Sequence, residues 1–251
     1  MTALAEGAIL AAFLAFCRIG ACLMIMPGLS SVRVPVQVRL FTAVAVTMAL
    51  LTFLWDRIFP FVDGARPAVM VPMIVSELLV GGLIGALTRL YMEAMRFIGT
   101  AIAMLMGFNS MGGTAIEEAD PQGPLAALVS LSALLLLFVF DFHLEVIRAL
   151  VASYSIAPVN VFFNPQSALV DVADTVSESF FLVLRLGSPF IAYAILVNLT
   201  IGFVNKLTPQ IPIYFISLPF IVAGGLILFY FAFSTMLSLF ADGFLATTLA
   251  R

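Results

Sequence analysis

Long apolar runs separated by short polar breaks occupy most of the chain. The runs are Gly7–Met26, Val38–Leu54, Pro67–Thr88, Phe97–Met106, Leu125–Phe140, Ser179–Val204 and Ile211–Ala241. Several of them reach the roughly 20 residues that a helix needs to cross a bilayer. The pattern predicts an all-α membrane protein with about six to eight hydrophobic helices, organised as one integral membrane domain over residues 1–251.

The apolar runs differ in length. At 1.5 Å per residue, Leu125–Phe140 spans about 24 Å, which is short of a hydrocarbon core of about 30 Å. Ile211–Ala241 would span about 46 Å and contains prolines, so we expect it to bend or split. Unequal, interrupted helices favour bent and broken hairpins that pack mostly against other protein.

Three further stretches refine this organisation. From Arg89 to Arg96 the charges stand three and four residues apart, so the pattern stays helical. Pro158–Glu178 is polar and acidic and is typical of a connector. Gly81, Gly82 and Gly85 form a small-residue group that permits close approach of another helix.

The composition excludes a soluble domain. The chain is 63% hydrophobic and 10% charged, with a mean hydropathy of +1.18, and a globular surface needs more polar cover than this. The net charge of −3 and the absence of a Lys/Arg cluster argue against a nucleic-acid partner or a polybasic lipid patch.

The two cysteines, Cys17 and Cys22, have neither the spacing of a metal site nor that of a disulfide framework. The sequence up to Cys22 faintly resembles a lipoprotein cleavage box, but Glu6 and Arg18 and the lack of a basic start favour a retained helix.

No arrangement of catalytic residues is found in the sequence. His143 stands with Asp141 and Glu145, but alternate residues of a helix point to different faces, so we expect a hydrogen-bonding structural histidine instead of a metal ligand. There is no nucleophile with a base and no phosphate-binding glycine loop. The sequence predicts neither an enzyme nor a bound cofactor or metal.

Arg18, Glu77 and Arg185 each lie within an apolar run. A charge at the bilayer centre costs about 2.5–3.5 kcal/mol on insertion scales. One interpretation is an ion or proton path. The other, which their isolation favours, is pairing with a charge or carbonyl of a neighbouring helix, possibly of another subunit.

The stretch from Met106 to Pro124 separates two apolar runs and is glycine-rich, then acidic, then bounded by prolines. Glycines loosen the backbone, and Pro121 and Pro124 stop or start helices. A flexible loop carrying apolar side chains is an unusual connector, and we consider it the first candidate site.

Three segments together resemble the flagellar biosynthetic protein FliR family of the type III export gate. They are CRIGACLMIMPGLSSVRVPVQVRL, MLMGFNSMGGTAIEEADPQ and NLTIGFVNKLTPQIPIYFISLPFIVAGG. The third, with its asparagines, Pro-Gln and glycines, is the most specific. The chain departs from the family pattern at Asp141-Phe142, Lys206 and Thr208.

The resemblance implies an architecture and a location. The N-terminal half (1–124) would resemble FliP and the C-terminal half (125–251) FliQ. One copy would close a FliP/FliQ pore for unfolded flagellar proteins, with FlhB and FlhA attached, in the bacterial inner membrane at the flagellar basal body. Much of that assembly would lie above the membrane plane.

The resemblance also implies a plug loop at residues 106–122 inside the pore. The residues it assigns to the plug are Met106, Gly107, Phe108, Asn109, Ser110, Met111, Gly112 and Gly113, with Asp120 and Pro121 at the end of the loop. Phe108 and Met111 would seal the lumen, which apolar side chains can do by excluding water. The glycines would act as hinges. The alternative is that the apolar residues are core contacts that anchor a periplasmic loop.

A second candidate site is the helix break formed by Asn205, Pro209, Gln210 and Pro219, which is either a bend shaping a subunit joint or an ordinary turn between helices. Two rival functions remain open from the residues. A small secondary transporter would share the broken helices and the charges, although no convincing internal repeat is present. A membrane enzyme of lipid metabolism is disfavoured because no catalytic constellation is found.

Overall fold

The computed structural model describes residues 2–31, 34–62, 67–108 and 123–249, and these residues fold into α-helices joined by short connections without a strand among them. The helices are α1 (Thr2–Ile25), α2 (Val36–Val62), α3 (Pro67–Leu105), α4 (Pro124–Val139), α5 (Phe142–Ile156), α6 (Pro165–Leu207) and α7 (Ile213–Leu249). The prediction of an all-α membrane protein with six to eight hydrophobic helices is confirmed.

Five of these helices are long and apolar enough to cross a membrane: α1, α2, α3, α6 and α7. The pair formed by α4 and α5 passes the same test only when taken together, and its bend is that of a broken span or of a re-entrant loop. The break falls at Asp141, whose φ of 54° places it in the left-handed region. Asparagine and aspartate adopt this conformation more readily than other residues with a side chain. The short run ending at Phe140 thus does not cross a membrane by itself, as its length of about 24 Å indicated.

Prolines and caps mark where helices begin. α3, α4 and α6 each start at a proline, Pro67, Pro124 and Pro165, where the missing N–H costs nothing and the fixed φ is already helical. Asn164 caps α6, because its Oδ1 accepts a hydrogen bond of 3.0 Å from the backbone N–H of Gln166.

The structure corrects two predicted connections. Pro158–Glu178 is not a connector throughout, since α6 begins at Pro165 and continues through the acidic residues. Phe97–Met106 is not a separate short helix, because it forms the end of the 39-residue α3. In both places polar side chains lie along a continuous helix, and hydropathy alone does not detect such an extension.

The helix break predicted at Pro219 is also wrong, because α7 continues through this residue. Pro219 lies in the second turn of α7, where its missing N–H leaves only the carbonyl of Phe215 without its helical partner. Proline is tolerated at such positions in membrane helices.

The helices form two compact units that alternate along the chain. Unit 1 comprises Met1–Leu90 and Phe138–Val176, and unit 2 comprises Tyr91–Leu137 and Ser177–Arg251. The chain therefore passes from one unit to the other inside α3, α4 and α6. The predicted halves 1–124 and 125–251, which concern likeness to two partner proteins, stay a prediction.

In unit 1, α1 is the central helix. Half of its apolar window is buried, against 17–39% for the other four helices that could span a membrane. The connection before α6 is fastened to α3, because the N–H of Phe163 donates to Ser76 Oγ at 2.9 Å. The ring of His143 stacks on Phe138 with centroids 5.7 Å apart. Its Nδ1 has no hydrogen-bond partner among the described residues, so the predicted hydrogen-bonding role is wrong at this nitrogen.

In unit 2, aromatic and small residues connect the helices. Tyr91 of α3 meets Phe244 of α7 edge to face at 5.6 Å, and the hydroxyl of Tyr193 of α6 donates to the Ile221 carbonyl of α7 at 2.7 Å. Gly99 of α3 lies against α4, where a Cβ would stand 3.2 Å from the Cα of Ala126. These contacts hold the end of α3 among α4, α6 and α7.

Candidate functional site

Unit 1 contains a buried ion pair between α1 and α3. Arg18 and Glu77 are each 1% exposed. Arg18 Nε donates to Glu77 Oε2 at 2.8 Å and Nη2 donates to Oε1 at 2.6 Å. This bidentate geometry joins both carboxylate oxygens to the guanidinium, which is the strongest form of such a pair.

Helix α5 completes the surroundings of Arg18. Nη1 donates to Ser153 Oγ at 2.9 Å and Nη2 to the Ala157 carbonyl at 2.8 Å. The guanidinium carbon also lies 3.8 Å from the centroid of the Tyr154 ring, a favourable position for a cation over an aromatic face. A single arginine therefore ties three helices together inside one unit.

The ion pair is enclosed because α1 and α3 approach at their backbones. A Cβ added at Gly81 would collide with the backbone carbonyl of Arg18, and one at Gly85 would stand 2.7 Å from the Cys22 carbonyl oxygen. Cys17 and Cys22 are both buried here and unlinked. The close approach predicted from the small-residue group is confirmed.

This geometry decides between the two interpretations of Arg18 and Glu77. They neutralise each other within one chain, and the remaining partners of Arg18 are a hydroxyl and a carbonyl. The pair is also too deeply buried to contact another subunit, so the predicted subunit-contact role is wrong for these two residues. The pair stabilises the unit.

Arg185 is in a different environment. It is exposed on α6, and no side-chain partner is found for it within the part of the chain that the structure describes. Its neighbours along the helix, Phe181 and Leu184, are exposed apolar residues. A charge on an otherwise apolar face needs a partner from outside the chain or a position where it reaches water.

In unit 2, the beginning of the central segment is anchored. Met106 is fully buried and lies against α7, where a Cβ at Gly225 would stand 2.7 Å from Met106 Cγ. Gly107 then ends α3 with a φ of 68°, and its N–H donates to the Met104 carbonyl at 3.0 Å. Phe108 is half-buried. Asn109, Ser110, Met111, Gly112, Gly113, Asp120 and Pro121 lie outside the described residues.

The turn between α6 and α7 holds the second predicted site. Asn205 is in the last turn of α6, and Pro209 and Gln210 form the turn itself; all three are exposed. The Thr208 hydroxyl donates to the Val204 carbonyl at 2.9 Å. At the end of α6 the last backbone carbonyls have no helical partner. Among the described residues, the side chains of Asn205 and Gln210 make no hydrogen bond to these carbonyls, and the Thr208 hydroxyl bonds one of them.

Sequence reasoning missed the α5 partners of Arg18. Ser153, Tyr154 and Ala157 are ordinary residues, and nothing in their spacing distinguishes them from others on α5. Only the fold brings them to an arginine 135 to 139 positions earlier in the chain.

Comparison with known proteins places the chain in a family. The profile of a family described as bacterial export proteins, family 1, matches residues 9–247. The chain is 29% identical to the flagellar biosynthetic protein FliR of Caulobacter vibrioides over 234 residues, which cover 92% of this chain and 91% of that protein.

Proteins of the same name in two other bacteria are also similar. The chain is 28% identical to FliR of Aquifex aeolicus over 219 residues, which cover 86% of this chain and 82% of that protein. It is 27% identical to FliR of Escherichia coli over 211 residues, which cover 83% and 78%. The predicted resemblance is confirmed, and the chain belongs to the bacterial export proteins, family 1.

Proposed function

We propose that the chain is a component of the flagellar protein export gate. It forms, with FliP and FliQ, the pore through which unfolded flagellar proteins leave the cell, with FlhB and FlhA attached. The observation that carries this proposal is the family match from α1 to α7, with relatives named for flagellar biosynthesis. Its site is the bacterial inner membrane at the flagellar basal body, with the N-terminal half like FliP and the C-terminal half like FliQ.

The apolar surface of unit 2 supports an assembly with other subunits. Only 17% of the apolar window of α7 is buried, and its outward residues include large aromatic side chains. They are Phe215, Phe220, Tyr230 and Phe231, each 72–78% exposed. A surface of this kind needs either lipid or apolar protein against it.

The lengths of α3 and α6 support an assembly that extends beyond the bilayer. At 1.5 Å per residue, helices of 39 and 43 residues span about 58 and 65 Å. A hydrocarbon core of about 30 Å accounts for half of this. The polar beginning of α6 is the part that we place outside the membrane.

We assign residues 106–122 as the plug of the pore. Met106 anchors the segment on α7, and Gly107 turns the chain away from α3 in a conformation that costs glycine little. Phe108 follows immediately and is only partly buried. A fixed base followed by a turn and apolar side chains is an arrangement that can close a lumen and be displaced by a passing polypeptide.

The assembly is tested by purifying a tagged chain from the membranes of its own bacterium in mild detergent. We expect FliP and FliQ to co-purify in a large complex, because the exposed apolar faces of α6 and α7 are covered by them. A monodisperse chain without partners that binds a small solute would contradict the proposal and favour a transporter.

The plug is tested by deleting Phe108–Ala115 in the assembled gate and measuring ion leak across the membrane. We expect closed-state conductance to rise severalfold, since the apolar barrier is removed. A second variant replaces the same eight residues by a Gly/Ser segment, which keeps the length of the loop but removes Phe108 and Met111. It should leak as well, because the apolar side chains are what excludes water. Unchanged conductance in both variants would assign the segment to anchoring instead.

A further inference from the structure

A groove between α2 and α5 in unit 1 contains two arginines that the buried ion pair does not involve. It encloses about 380 Å³ and opens outward. Its lining residues are Phe53, Arg57, Ile147, Arg148, Val151, Ala152 and Ser155. The walls are thus apolar, with two guanidinium groups from different helices and one hydroxyl.

Arg57 is held in the groove by one nitrogen of its guanidinium, and its other N–H groups are unbonded among the described residues. Its Nη1 donates to Ser155 Oγ at 2.8 Å and to the Val151 carbonyl at 3.3 Å. Both bonds use the same nitrogen. Arginine has five N–H donors, so those on Nε and Nη2 have no partner among the described residues and are available to a ligand.

Arg148 supplies the second positive charge from α5. Its side chain is 71% exposed and pairs with Glu145 one turn earlier. Glu145 is the acidic residue that faces this arginine, and it does not line the groove. Arg57 and Arg148 are the charged residues that line the groove, whereas the nearby acids Asp56 and Glu145 do not line it, so the wall of the groove presents positive charge to an anionic ligand.

The depth of Arg57 along α2 indicates what kind of anion reaches it. Arg39 and Arg57 are eighteen positions apart with no charge between them except Asp56, which corresponds to about 27 Å of helix. This is close to the thickness of a hydrocarbon core, so the two arginines mark its opposite faces. Trp55, stacked on Phe59 with centroids 4.7 Å apart, is the residue type that anchors helices at this level.

We propose that this groove binds the headgroup of an anionic membrane phospholipid, with Arg57 and Arg148 on the phosphate and Phe53, Ile147 and Val151 along the first part of an acyl chain. Arginine forks match phosphate oxygens in geometry, and basic pockets between membrane helices are suited to acidic headgroups. The sequence shows no Lys/Arg cluster at this site, because Arg57 and Arg148 are 91 positions apart in the chain.

The test counts lipids bound to the purified full chain by native mass spectrometry. The added lipids are phosphatidylglycerol and phosphatidylcholine with the same acyl chains. We expect one phosphatidylglycerol to bind clearly more tightly than phosphatidylcholine. In Arg57→Gln/Arg148→Gln we expect the preference to disappear, with affinity lower by about fivefold for each arginine removed, or about 25-fold in total.

Two variants make the result specific. Arg148→Gln alone changes an exposed side chain, so it folds, and it should lose about fivefold. Arg96→Gln removes an exposed arginine with the same i,i+3 pairing to a glutamate, and it should bind like the unchanged chain. Equal losses in Arg96→Gln would overturn the proposal, because the effect would then be general surface charge.

Two further measurements distinguish a bound lipid from a free anion and from a partner protein in the groove. Inorganic phosphate at millimolar concentration should not displace the lipid, and displacement would assign the groove to a free anion. The assembled complex should retain the lipid. Loss of the lipid on assembly, together with a cross-link from position 53 to an acidic segment of a partner protein, would assign the groove to that partner.

Discussion

At the scale of single residues, Arg18 shows how a charge is accommodated in an apolar interior. Its four hydrogen bonds and the Tyr154 ring surround the guanidinium. Removing two ions from water is expensive, and a buried pair is tolerated only when its geometry is good and its other donors are satisfied. Here these conditions are met by three helices, so we expect the pair to specify their packing.

The first prediction concerns removal of one partner. Arg18→Met leaves Glu77 buried without its cation, and Glu77→Leu leaves Arg18 without its anion, so each should destabilise the chain by about 3–5 kcal/mol. The double variant Arg18→Met/Glu77→Leu should recover most of this loss, because no uncompensated charge remains. Thermal unfolding in detergent, followed by the fluorescence of the single tryptophan, Trp55, measures the effect.

Such a cycle isolates the coupling between the two side chains. If the double variant is as unstable as the worse single variant, the network with Ser153 and Ala157, and not the ion pair, determines stability.

The pairing of Arg18 with an acidic residue was predictable from the sequence, but its contacts with Ser153 and Ala157 were not. An arginine and a glutamate in separate apolar runs predict pairing, since each alone is costly in a membrane. The same reasoning expected a partner for Arg185 as well, but its side chain is exposed and no partner for it is found among the described residues. The roles of Ser153 and Ala157 depend on how α5 meets α1, which no periodicity in α5 encodes.

At the scale of helices, glycine positions determine how closely α1 and α3 approach. Gly81 and Gly85 face the backbone of α1, whereas Gly82 between them meets only the end of the Ile25 side chain, 3.7 Å from a Cβ built there. The three glycines look alike in the sequence, but they differ in what surrounds them. Their substitution should therefore have different effects.

The second prediction compares Gly81→Ala with Gly82→Ala. A methyl group at Gly81 would overlap the Arg18 backbone, so the helices must move apart, at a cost of about 1–3 kcal/mol. At Gly82 the space is free, and alanine is favoured over glycine in a helix by about 1 kcal/mol. Gly81→Ala should lower the unfolding temperature and Gly82→Ala should not; equal effects would mean that α1 and α3 do not meet as described.

Element boundaries were predictable where apolar content changes abruptly and not where a helix continues with polar residues. α4 lies within one residue of the predicted run because Pro124 begins it. α6 begins about fourteen residues earlier than its apolar run, and its buried residues there are Ala168 and Thr175, which a hydropathy window does not distinguish from a polar loop. Burial of a narrow, weakly apolar stripe is a tertiary effect.

At the scale of the whole molecule, the exposed apolar surface requires covering. Unit 2 carries many large aromatic side chains on the outside of α6 and α7, and Arg185 lies on this surface. In lipid an isolated arginine is unfavourable, but against a partner subunit it can be paired. We therefore place a contact with a partner at Arg185.

The third prediction tests this contact. Arg185→Leu should reduce the amount of FliP and FliQ that co-purifies with the tagged chain, because the partner's polar group loses its cation. The stability of the isolated chain should not fall, since the exposed Arg185 side chain makes no hydrogen bond or ion pair among the described residues. Arg185→Lys keeps the charge and serves as the control. Normal co-purification of Arg185→Leu would place this residue at a water-exposed or lipid headgroup position.

The buried arginine also constrains how the protein is made. During synthesis, Arg18 leaves the ribosome 59 residues before Glu77 and 135 residues before Ser153. Until Glu77 arrives, lateral release of α1 into lipid would strand a cation at a cost of about 2.5–3.5 kcal/mol. We therefore expect the insertion machinery to retain the nascent first helix, and to release it together with α2 and α3 once Arg18 and Glu77 neutralise each other; α5 then adds its contacts to the pair.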